Sequence, residues 1–360
     1  MSNVIATKAK TGRDSRVETL RLAACFAVLV LHFKPNTFVN GQRVLARTFV
    51  TCICTDAVGI FLLITGFFFF RNRKYTAKLT DCGRKILLPT IIYTLFVAFA
   101  YPLLSGSSVD FANAARQFVI TIITWNPIIH NAQHLWYMYL YCIIVVAFPV
   151  LNFIINKISS QKHMQLIFVV MTFILLFIND CCGNNLLHCE MVPLTVFIPG
   201  CLFVLCGSII YNNRHYIEGK ILPFIAGVTV FCAVNIARTV YMRALLNTDA
   251  SLTHLYGWYT SAGFICAISL LVSVLSIKPF YHKAINTISA TTMDIYILHV
   301  IVSELITMAG YKNWVITTFL DGSESFIQFA KFTAIYSISV FAICCVLSIT
   351  FKKIKSISSK

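Results

Sequence analysis

VETLRLAACFAVLVLHF, residues 17–33, decides the fold. It is an apolar run broken near its start by Glu18 and Arg21 and near its end by His32. Read as a helix, eleven steps of about 100° carry Arg21 round to within about 20° of His32, so both side chains share one stripe. At about 1.5 Å per step they stand roughly 16 Å apart along the axis, about half the thickness of a hydrocarbon core. Glu18 precedes Arg21 by three residues on the same stripe, where a carboxylate can fix a guanidinium. Charged and titratable groups are costly at that depth and by default mark a site. Taken singly, Arg21 reads as an anchor that snorkels to the headgroups and His32 as an interface histidine. Together they suit a reaction spread across a membrane.

Composition extends the reading to the whole chain. Of 360 residues, 58% are apolar and 12% charged, and the mean hydropathy is +0.79. A soluble domain carries about twice that share of charge. Ten stretches are long and apolar enough to span, near 17–34, 48–70, 86–104, 135–155, 164–180, 192–211, 219–240, 255–277, 291–309 and 329–351. The expected fold is therefore an all-α, polytopic transmembrane bundle of about ten spans. Residues 109–124 are less apolar and follow Ser105-Gly106-Ser107-Ser108, so an interfacial or re-entrant helix is expected there.

Charge sets the orientation. With the N-terminus inside, the inner segments hold twenty Lys and Arg and the outer ones six, which places both termini in the cytoplasm. The net charge of +16 thus reflects topology, and no basic tract interleaved with aromatics points to nucleic acid. Residues 1–16 are polar, so no signal peptide is expected, and the division is a cytoplasmic tail 1–16, a membrane domain 17–351 and a basic tail 352–360. Most of the fourteen cysteines sit singly in apolar runs as small hydrophobes, and no ligand spacing suggests a metal. Cys181, Cys182 and Cys189 share one loop and suit a disulfide in an oxidising space.

Further motifs lie at both ends of the spans. The second ends in ITGFFFFRNRK, residues 64–74, where Arg71, Arg73 and Lys74 read either as a positive-inside cluster or as a clamp for phosphates. Lys78, Arg84 and Lys85 add charge on that side, and Gly66 permits a close helix approach or a break. At the outer start of the fourth span, HLWYMYLY brings His134 and Trp136, which suit an aromatic belt or a platform for sugars. In the ninth, MDIYILHV sets Asp294 and His299 five residues apart, about 140° round a helix and so not a direct pair. Asp294 suits a helix start, and His299, lying deeper, is the second site histidine. No nucleophile elbow, phosphate-binding glycine loop or zinc-protease motif is present.

Together these residues resemble the acyltransferase-3 family of integral-membrane enzymes. The likeness is carried by R-x10-H (Arg21 to His32), the glycine-bearing second span ending in R-x-R (Arg71 to Arg73), and HLWY with the late IYILH (Ile295 to His299), over roughly 16–351. Thr65-Gly66-Phe67 stands where the family often has Ser-Gly-Phe. The resemblance implies transfer of an acyl group, most often acetyl, from cytoplasmic acetyl-CoA to a hydroxyl of a cell-envelope carbohydrate or lipid-linked glycan, at the cytoplasmic membrane. His32, Arg21 and Glu18 are then the catalytic candidates. Arg71, Arg73 and Lys74 hold the CoA phosphates, and His134, Trp136 and His299 face the acceptor. The expected partners are acyl-CoA, the glycan and membrane lipids, with no metal and no nucleic acid. The rival is a secondary transporter or flippase for an anionic or glycan substrate, since intramembrane Arg, His and Asp also serve ion coupling. Neither inverted repeats nor paired broken helices are visible, and no soluble output domain suggests a sensor.

Overall fold

The computed structural model describes residues 13–33, 38–39, 42–71, 74–106, 108, 110–183, 186–187, 192–245, 257–319 and 326–358. Those residues are helical apart from loops and one two-residue antiparallel pairing, Phe38–Val39 with Gln42–Arg43. Each of the ten apolar stretches is helical over most of its length. By length and apolarity five helices can cross a membrane, or up to seven if each bent pair is one span. The number falls below ten for local reasons. Helix α1 (Ser15–Phe33) carries Arg16, Glu18 and Arg21 in its first two turns. Two other apolar helices, described below, have only 17 and 16 residues. Where an interfacial or re-entrant helix is expected, residues Phe111–Thr124 form an amphipathic helix.

The second apolar stretch is two helices, α2 (Leu45–Thr55) and α3 (Ala57–Phe69), joined at Asp56. Next comes α4 (Tyr75–Leu104), which widens into π turns at Gly83–Leu87 and Phe96–Ala100. Pro89 and Pro102 explain both, because each lacks the N–H for the carbonyl four residues earlier and clashes with it. Asp110 caps α5 (Phe111–Thr124) by accepting from the Asn113 amide at 3.1 Å. α6 (Trp136–Val146) and α7 (Phe148–Ser159) bend by 66° at Ala147, where Pro149 enters the second helix. α8 (Lys162–Cys181), α9 (Phe197–Asn213), α10 (Ile221–Leu245) and α11 (Ser261–Ser276) follow. A second bend of 55° separates α12 (Lys283–Ser289) from α13 (Thr292–Met308). α14 (Tyr311–Phe319) precedes α15 (Phe326–Ser358), so the basic tail drawn at 352 begins as a continuation of the last helix.

Two contacts fix the helices that build the site. α3 and α9 touch backbone to backbone: a Cβ at Gly66 would lie 1.8 Å from the Val204 carbonyl oxygen, and one at Gly207 would lie 2.1 Å from that of Leu63. Gly66 is thus a close approach and not a break. α1 runs beside α13, with the Cys25 thiol donating to the Thr292 carbonyl at 3.8 Å. His32 and His299 each lie seven residues further on, and so reach one level. The start of α1 is pinned by the buried Arg16, which binds Asp14 at 2.7 Å, Glu218 at 2.9 Å and the Leu275 carbonyl at 2.7 Å. At mid-helix, Arg238 of α10 meets Asp56 at 2.9 Å, both buried.

Candidate active site

At the end of the bundle where α1 begins, a cavity of about 430 Å³ opens between α1, α3, α4, α6 and the bend before α13. Arg13, Arg21, Lys78 and Lys85 bring positive charge to its wall, with Asp81 the one carboxylate among the described residues. The bend leaves Ser289, Ala290, Thr292 and Met293 facing the space, in keeping with irregular backbone being tolerated at membrane depth where it lines a cavity. The first π turn of α4 supplies Lys85 and Ile86 to the same wall. Arg21 is held by Glu18 at 2.6 Å, and the buried Glu18 also accepts from the Ser289 hydroxyl and lies 3.9 Å from Arg13. The pairing expected from the i, i+3 spacing is therefore made, with Glu18 behind the arginine as its anchor.

Farther along α1, three imidazoles meet. The ring of His32 is 4.9 Å from that of His299 and 6.2 Å from that of His134, and the last two are 4.8 Å apart. His32 is exposed, His134 and His299 are buried. The backbone decides the tautomers. His134 Nε2–H donates to the Ile297 carbonyl at 3.2 Å, and His299 Nδ1–H donates to that of Tyr296 at 2.7 Å, because a carbonyl oxygen only accepts. In the neutral ring the opposite nitrogen of each is then a lone pair. His134 Nδ1 and His299 Nε2 are buried with no hydrogen-bond partner among the described residues. Two fixed hydrogen-bond acceptors thus stand beside an exposed imidazole.

Two tyrosines divide the cavity from the histidines. Tyr137 and Tyr296 both line the cavity and are buried, with rings 5.5 Å apart. The far side of Tyr296 is 5.9 Å from the ring of His134 and 5.7 Å from that of His299, and its hydroxyl donates to the His134 carbonyl at 2.6 Å. Arg21 therefore faces the cavity while His32 lies beyond this partition. The shared stripe on α1 is real, but a single open chamber for both groups is not what the packing shows.

The other expected residues scatter. Arg71 is exposed and stacks on Phe68 at 4.5 Å and Tyr211 at 4.7 Å, so it covers a ring of the wall without itself lining the cavity. Lys74 is exposed at the start of α4, and Arg73 lies outside the described residues. Trp136 stacks face to face on Trp258 at 6.2 Å, away from the histidine rings. Asp294 pairs with Lys352 at 2.7 Å and not with His299. Cys181 and Cys182 are free thiols, and Cys189 lies outside the described residues. Sequence reasoning took Tyr137 of HLWY for an aromatic-belt residue or sugar platform and passed over Tyr296, although it sits in the quoted IYILH, and it missed Arg13 because a single arginine in a polar tail carries no pattern.

A family profile described as the acyltransferase domain (Acyl_transf_3) matches residues 14–349. Comparison with curated proteins and with solved structures finds no match.

Proposed function

Since this chain belongs to the acyltransferase-3 family of membrane acyltransferases, we propose that it moves an acetyl group from acetyl-CoA to a hydroxyl of a cell-envelope carbohydrate. The supporting observation is the pair of fixed imidazole lone pairs beside His32, stacked along one helix pair on a cationic cavity. A volume of about 430 Å³ is in the range of small-molecule sites. Arg13, Arg21, Lys78 and Lys85 bind the CoA phosphates from the cytoplasm, and Arg71 and Lys74 lie off the cavity wall. In this orientation the ten apolar stretches cross the cytoplasmic membrane and both termini lie in the cytoplasm.

The chemistry is proton transfer with acyl transfer. His32 removes the proton of the acceptor hydroxyl. The oxygen attacks the thioester carbonyl, and the C–S bond breaks. The CoA thiolate leaves and takes the proton back from His32, so ester and free thiol are the products. His134 and His299 keep their positions as acceptors that orient the His32 N–H or the incoming hydroxyl. The thioester reaches His32 only where Tyr137 and Tyr296 give way.

Membranes carrying the chain are incubated with radiolabelled acetyl-CoA. Label in glycan supports the enzyme, whereas glycan uptake into vesicles without transfer supports a transporter. Loss of a general base costs about two to four decades in rate. His32→Ala should fall by that much with its yield and elution unchanged, and a purified variant with full turnover refutes the assignment.

A further inference from the structure

A second cavity, of about 360 Å³, lies at the other end of the bundle between α4, α5 and residues 129–131. No part of the mechanism above uses it. Its floor is apolar and buried, made by Val97, Ala98 and Ile129. Its walls are mostly hydroxyl and amide, from Tyr101, Ser105, Asn113, Gln117 and Asn131, with the imidazole of the exposed His130 beside them. Asp110 is the one carboxylate, and among the described residues no Lys or Arg lines it. The contrast with the first cavity lies in its fixed charges. Among the described residues a polyanion would meet no Lys or Arg here, only the His130 imidazole, and Glu304 behind the Tyr101 hydroxyl at 3.2 Å would repel it. A neutral molecule with many hydroxyls would meet matched donors and acceptors over an apolar floor.

The cavity is built into the fold and tied to the histidines. The second π turn of α4 turns Val97 and Ala98 into the floor, as the first turns Lys85 into the cationic wall. Asn131 holds a left-handed backbone, φ 64, as does Trp125 at φ 54, a conformation rare for side-chain-bearing residues and sustained only where the surroundings fix it. The Asn131 carbonyl accepts from the Tyr93 hydroxyl at 3.1 Å, and the Tyr93 ring is 5.5 Å from that of His134. One residue thus links the wall of the cavity to His134, a member of the histidine cluster.

We infer that this cavity is the acceptor subsite and that it takes a neutral polyhydroxylated molecule with the chemistry of an uncharged glycan segment. The inference rests on the acyltransferase reading and adds where the acceptor binds and with what charge.

The test uses membranes bearing the full chain, labelled acetyl-CoA, and deacylated envelope glycan of the same cells separated into neutral and anionic fractions. The neutral fraction should take the label. Asn113→Ala/Gln117→Ala removes two neutral hydrogen-bonding groups, so the glycan concentration for half-maximal transfer should rise about tenfold while the KM for acetyl-CoA stays within about twofold. Ala114→Trp, which fills the cavity from α5, should cut transfer at least about tenfold with CoA binding by calorimetry retained as the check of folding. Label only in the anionic fraction, or unchanged half-saturation in the double variant together with unchanged transfer in Ala114→Trp, overturns the assignment. Absence of transfer by the parent chain instead removes the acyltransferase reading, and this subsite with it.

Discussion

Asp56→Leu tests how charge is carried through this bundle. Asp56 sits at the joint of α2 and α3 with 0% exposure, Arg238 on α10 with 6%, and their contact is 2.9 Å. Beyond Asp56, Arg238 has the Asn235 side-chain oxygen at 3.4 Å and the Cys52 carbonyl at 3.5 Å, both long and neutral. Neutral hydrogen bonds contribute about 1 kcal/mol each, too little to replace the carboxylate. Removing one side of a buried pair costs about 3–5 kcal/mol, and that is the loss expected for Asp56→Leu or Arg238→Met. The double variant removes both charges and should regain most of it, since apolar replacement of a buried pair is often neutral. Denaturant titration of the purified chain in detergent reads the stability. Neither residue lines the cationic cavity or adjoins the histidine rings, so the folded fraction of each variant should keep its KM for acetyl-CoA. A double variant no more stable than the worse single one refutes the pairing argument. A single variant of normal stability that has lost turnover refutes the structural role.

Three further outcomes follow from named contacts. Gly66→Ala places a Cβ 1.8 Å from the Val204 carbonyl, where contacts below 3.0 Å force a shift, so α3 must retreat by more than an ångström; overpacking of this kind costs about 1–3 kcal/mol, and the movement of Thr65 and Phe68 should raise the KM for acetyl-CoA. Lys85→Ala, on the cavity wall, should weaken CoA binding by calorimetry more than Lys74→Ala, off it, and equal effects would move the phosphate site to the rim. Tyr296→Phe deletes the hydroxyl that donates to His134 at 2.6 Å; loss of about 1 kcal/mol eases opening about fivefold, so thiol release from acetyl-CoA without acceptor should rise by that factor, and an unchanged rate would show that the tyrosine is no barrier.

Residue type and short spacing made part of this legible. The Glu18–Arg21 pair follows from three residues on one helix, and the helical class follows from apolar runs of spanning length. His32, His134 and His299 could each be singled out because imidazoles are few in such runs. Their meeting could not, because helices far apart in the chain bring them together and no periodicity encodes that. Arg71 shows the opposite case: its position in R-x-R is plain, but the aromatic rings of Phe68 and Tyr211 draw its side chain off the cavity. Hydropathy also sees length and not direction, so Pro149 hides a 66° bend inside one apolar run.

Burial sorts the ionisable groups into two kinds. Every buried Arg, Asp or Glu among the described residues has an opposite charge beside it: Arg16 with Asp14 and Glu218, Glu18 with Arg21, Asp56 with Arg238. The desolvation cost of a charge leaves no alternative. The buried histidines need no such partner, since a neutral imidazole brings no charge to desolvate. Their carbonyl-bound tautomers leave lone pairs free beside the exposed His32. Among the described residues the buried fixed charges thus stand in opposite pairs, and the cluster of neutral imidazoles lies beyond the tyrosines. A carboxylate base at that depth would have required a cation beside it, and the cation would have held it ionised and weakly basic. Imidazole is the side chain that can wait there uncharged and still offer a lone pair.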